Sequence, residues 1–71
     1  MNFKRATDIL GVSAAALAEV FRLQPQTVRQ MRLDPESLSY RTPPENWRPV
    51  VASLARQRAR ELERLADELE R

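Results

Sequence analysis

Between residues 24 and 30 the chain gathers Gln24, Gln26, Thr27, Arg29 and Gln30. These are amide, hydroxyl and guanidinium side chains, the kinds that hydrogen-bond to base edges and phosphate oxygens. No acid falls between Glu19 and Asp34, whereas a merely solvated helix face usually mixes both signs. No other cluster offers comparable chemistry. The 71 residues include neither Cys nor His. That removes disulfides and thiolate metal sites, and with them the commonest zinc ligand and every Ser-His or Cys-His nucleophile pair. Carboxylates remain, but a chain this short has little wall with which to exclude water. The sequence therefore predicts no enzyme: no catalytic residue, no metal, no other cofactor and no small-molecule ligand.

Charge is unevenly spread around a net +2. Residues 1–32 carry Lys4, Arg5, Arg22, Arg29 and Arg32 against Asp8 and Glu19, so the N-terminal part is basic. Residues 33–49 carry two Arg and three acids, and residues 50–71 five Arg and five acids. No run approaches the ~18 apolar residues of a membrane span, and Asp8 and Gly11 interrupt anything like a signal peptide. A cytoplasmic protein with no membrane partner is expected.

The elements that must position the polar cluster are marked by one Gly and five Pro. Phe3, Ala6, Ile9 and Leu10 recur as one helical face, and Gly11 follows where a left-handed cap ends a helix. Ser13 is an N-cap candidate for a second helix with an apolar stripe of Ala14, Leu17, Ala18 and Phe21. Arg22-Leu23-Gln24 breaks the pattern, and Pro25 suits the first position of a third helix, which runs to about Arg32 and buries Val28 and Met31. Asp34-Pro35-Glu36 reads as a turn within a connector over residues 33–46. Thr42 and Asn46 compete as caps of a last helix, Thr42 through its spacing to Glu45 and Asn46 because Pro49 then stays in the first turn. From Trp47 to Leu69 good helix formers dominate. Strand and hairpin signals are absent. The fold predicted is all-α, a helix-turn-helix module of three short helices plus a long C-terminal helix, together one compact domain.

The stretch from Leu17 to Met31 resembles the helix-turn-helix of the Cro and phage-repressor type (Xre-like) of DNA-binding proteins. The resemblance covers roughly residues 3–32. It rests on small Ala18 where two helices cross, on Leu17 and Phe21 before the turn and Leu23 within it, and on Val28 and Met31 ten and thirteen residues after Ala18. One departure is Arg22, where the family prefers Gly; a left-handed Arg carries a steric cost, so a slightly reshaped turn is expected. The resemblance implies that residues 1–32 bind double-stranded DNA, with the helix at about 25–32 in the major groove. Gln26, Arg29 and Gln30 then share the base-reading face, Arg29 suited to guanine and either Gln to adenine. Gln24 and Thr27 fall to phosphates near a helix N-terminus, and Arg22, Arg32, Arg41, Lys4 and Arg5 to further backbone contacts.

The last helix repeats its apolar residues at eleven-residue intervals, 51→62, 54→65 and 55→66, which suits a nearly straight helix better than a heptad zipper. Arg58 interrupts that stripe. At about 35 Å the helix outreaches a module of three short ones. Trp47, Val50, Val51 and Leu54 are expected to fold back on the module, leaving Leu62, Leu65, Ala66 and Leu69 exposed as a dimer interface. Small domains without staples often complete their core in this way. The function implied is a homodimeric transcriptional regulator, of repressor type, on an inverted-repeat operator. A DNA-recognition subunit of a phage packaging (small terminase-like) oligomer is the alternative, and an adaptor that binds no nucleic acid is a third.

Overall fold

Asn2 opens the first helix: its side-chain oxygen accepts the backbone N–H of Arg5 at 2.8 Å, and α1 runs Phe3–Leu10. The computed structural model describes all of residues 1–71. Gly11 ends α1 at φ 72°, its N–H donated to the Thr7 carbonyl, the simple left-handed cap. Ser13 caps α2 (Ala14–Phe21) by accepting the Ala16 N–H at 3.1 Å. α3 (Pro25–Met31) starts on its proline, and α4 spans Trp47–Leu69. Asn46, not Thr42, occupies the cap position of α4, although its side chain makes no capping bond. No strand is present, and the architecture is all-α with a long C-terminal helix. No helix is long and apolar enough to cross a membrane.

The core is small. Phe3, Leu17, Ala18, Val28 and Met31 are buried together, with Val12, Ala14, Phe21, Leu23, Trp47 and Leu54 packed around them. Phe3 is the hub: its ring lies 6.2 Å from that of Phe21 and meets Trp47 edge-on at 5.5 Å, geometries that suit the aromatic quadrupole. Arg48 fixes the base of α4, its guanidinium 4.9 Å over the Trp47 ring and donating to the Met1 carbonyl at 3.0 Å.

The inner face of α1 differs from the expected one. Thr7, not Ile9, is fully buried beside Phe3; its hydroxyl donates to the Phe3 carbonyl at 2.9 Å, so the polar group is satisfied without leaving the helix. Ile9 lies about 200° around the helix from Thr7 and stays 68% exposed. Between residues 33 and 46 the connector forms turns rather than helix. In the first, Asp34 accepts the N–H of Glu36 through its side chain at 2.9 Å and that of Ser37 through its carbonyl at 2.8 Å.

On α4, Val51 is buried and Trp47, Val50 and Leu54 half-buried, whereas every residue from 55 to 71 is exposed. Leu62, Leu65 and Leu69 are 51%, 49% and 76% exposed. The molecule measures 51 × 22 × 18 Å with a radius of gyration of 14.1 Å, against about 11 Å for a compact chain of this length. The shape is elongated because the last four turns of α4 project beyond the three short helices.

Candidate nucleic-acid interface

The turn between α2 and α3 is built by Arg22 itself. Arg22 adopts φ 57°, ψ 47°; the Leu23 N–H reaches the Ala18 carbonyl at 2.9 Å and the Arg22 N–H that of Glu19 at 3.3 Å. This pair of bonds is the Schellman arrangement that normally recruits glycine. The turn is therefore not reshaped by the arginine; the backbone keeps the left-handed conformation and bears its cost. Leu23, the next residue, packs on the core and anchors the turn from below. Ala18 is 3% exposed, its small side chain sitting where α2 and α3 come together.

This turn sets the face of α3. Val28 and Met31 are buried, and Gln26, Arg29 and Gln30 lie within about 100° of one another on the opposite side. Gln26 and Arg29 are exposed and Gln30 half-buried. Thr27, half-buried, stands at the flank, and Gln24 and Arg22 are exposed just before the helix. Arg29 takes part in no ion pair: the three in the molecule are Lys4–Asp8, Arg32–Asp8 and Arg58–Glu61. The Gln30 carbonyl accepts the N–H of Leu33 and that of Arg41, both at 3.3 Å, which ties the connector to the end of α3 and leaves the Arg41 side chain exposed.

The remaining candidate cations divide into two groups. Arg5 is exposed and unpaired. Lys4 and Arg32 both engage Asp8: Lys4 at 3.3 Å from the preceding turn, and Arg32 across from the end of α3 through its Nη2. The Arg32 side chain is only 26% exposed, and its Nε is buried without a partner. The Arg32 hydrogen bond holds the Asp8 carboxyl below its ordinary pKa of 3.8; desolvation opposes this and Lys4 adds to it. Asp8 thus neutralises two cations that the sequence reading assigns to phosphates. A lysine four residues before Asp8 signals the first pair. Nothing in the sequence signals the second, which spans 24 positions. The groups present include no cluster of acids that could hold a metal ion.

The geometry defines an all-α chain in which three short helices present one acid-free polar helix face and a long fourth helix extends the module. No family model, curated protein or solved structure matches it.

Proposed function

We propose that this protein is a sequence-specific DNA-binding regulator that inserts α3 into the major groove and acts as a homodimer on an inverted repeat. One observation carries the reading: the outward side of α3 presents Gln26, Arg29 and Gln30, with Arg29 free of ion pairs, on a helix locked to α2 by a tight three-residue turn. Those side chains match the donor and acceptor patterns of guanine and adenine in the major groove. Arg22, Gln24, Thr27, Arg5 and Arg41 supply backbone contacts around them. Lys4 and Arg32 contribute less, because Asp8 already neutralises them. Resemblance to Cro-type repressors supports a repressor over an activator, and the exposed Leu62, Leu65, Ala66 and Leu69 support self-association through α4.

The test is selection of bound duplexes from a random DNA pool by the full chain. Enrichment of one inverted repeat, with affinity falling steeply as salt rises, is the expected result. Absence of any enriched sequence and of salt dependence would refute it and point to a protein-binding adaptor.

A further inference from the structure

The charges of α4 are sorted along its length in the direction that a lone helix disfavours. Residues 47–60 carry Arg48, Arg56, Arg58 and Arg60 and no acid. Residues 61–71 carry Glu61, Glu63, Asp67, Glu68 and Glu70 against Arg64 and Arg71. The helix macrodipole favours the reverse order, acids at the N-terminus and bases at the C-terminus, and α4 has neither an acid in its first turn nor a base in its last. Within the helix only Arg58–Glu61 pair, at 3.8 Å and in solvent. The sorting therefore calls for a partner outside the helix.

Burial separates the apolar residues of α4 into two stripes that the eleven-residue pattern merges. Trp47, Val50, Val51 and Leu54 face the chain's own core, whereas Ala52, Ala55, Ala59, Leu62, Ala66 and Leu69 are exposed. Their spacing is three, four, three, four, three, the seam of a two-helix coiled coil. The upper part of that seam forms one wall of an apolar groove of about 620 Å³, whose other wall is Ala6, Ile9 and Leu10 of α1.

We infer that the occupant of this face is the α4 of a second copy, running antiparallel, with the two-fold axis between Arg60 and Glu61. This rests on the reading of the chain as a homodimer, and not on its binding DNA. The seam is symmetric about that point. Ala52 meets Leu69 of the second copy, Ala55 meets Ala66, and Ala59 meets Leu62, so each leucine packs over an alanine. Beside the seam, Arg56 of each copy faces Glu63 of the other. A parallel pair would instead lay the basic half of one helix beside the basic half of the other, and the acidic half beside the acidic half. The last turn of the second copy also settles into the groove and covers Ile9, the exposed apolar residue of α1. In this geometry the first residues of the two α4 helices lie about 40 Å apart along the pair.

Because the chain has no cysteine, orientation can be read by cross-linking without background. Ala52→Cys and Leu69→Cys, both at exposed positions, are made as separate full-length chains, then mixed and oxidised. A disulfide between the two variants, with neither cross-linking to itself, is expected, together with a dimer mass for the unmodified chain. In the same assay Arg56→Glu should weaken the dimer on the order of tenfold, because two exposed pairs change sign at once; Arg56→Glu combined with Glu63→Arg should restore it. Ile9→Asp, on a surface that the monomer leaves open, should weaken it while helical content is retained. Self-cross-linking of each variant would overturn the inference in favour of a parallel pair. A monomeric mass at hundreds of micromolar, or a ring of many copies, would overturn it outright. A chain that dimerises in this way and ignores DNA would refute the functional proposal alone.

Discussion

Arg22 holds a backbone conformation that costs an L-residue about 1–2 kcal/mol. Glycine would relieve that cost and lose about 0.5–1 kcal/mol through the extra freedom of its unfolded chain. Arg22→Gly should therefore stabilise the protein by about 0.5–1 kcal/mol, a rise in Tm of roughly 3–6 °C for a domain of this size, seen in thermal melts followed by circular dichroism. If Arg22 touches a phosphate, the same variant should shallow the salt dependence of DNA binding by about one unit in log–log slope. Arg29→Ala should leave the melt unchanged and cost about 1–3 kcal/mol on the selected sequence; an equal loss on random DNA would make Arg29 a phosphate contact instead. Asp8 gives a pH signature. Its folded pKa lies below the ordinary 3.8, so its contribution to stability is present above that value and is lost as pH falls below it. Asp8→Asn should abolish that acid-side loss. It should also free Lys4 and Arg32, tightening DNA binding and steepening its salt dependence.

At the scale of elements, Ala18→Leu is the sharpest probe, because Ala18 is 3% exposed between α2 and α3. Overpacking of this kind costs about 1–3 kcal/mol, a large part of what a domain this small possesses. Melting and DNA binding should fall together; a variant that behaved like the parent would move the helix crossing elsewhere. The four helices were legible because local punctuation marks most of their ends: Gly11, Ser13, Pro25 and the Pro-free run after Pro49. Leu17, Ala18, Val28 and Met31 were legible from their spacing. Thr7 was not, because hydropathy treats a hydroxyl as an outside group, and only the bond to the Phe3 carbonyl makes it an inside one. Asn2 carried its signal, an Asn immediately before an apolar-periodic run, and could have been read as a cap. The Asp8–Arg32 pair was illegible in principle, since it joins two helices whose approach only the tertiary fold decides. That pair is why the outward face of α3 could be named from sequence while the set of free cations around it could not.

For the whole molecule, the antiparallel pair makes α4 a spacer. A two-fold dimer that reads successive major grooves on one side of a duplex needs its recognition helices about 34–36 Å apart or a multiple of that, so the selected site should be an inverted repeat with half-sites about one turn, or a whole number of turns, apart. Leu62→Glu, at the seam, should place an unpaired charge against Ala59 of the second copy, at a cost of several kcal/mol. Sedimentation should then report monomer, with DNA affinity falling at least tenfold. Leu65→Glu, which flanks the seam near Arg58 of the second copy, should be much milder; equal effects would move the axis. Residues 55–71 are all exposed in the single chain, and a helix of about this length with so little packed against it is marginal in water. Pairing of two chains therefore stabilises that segment, and the paired form grows with the square of the amount of protein when that amount is low. Such a chain would in this way respond to gene dosage, remaining single and nearly inert when scarce and engaging its site over a narrow range of abundance.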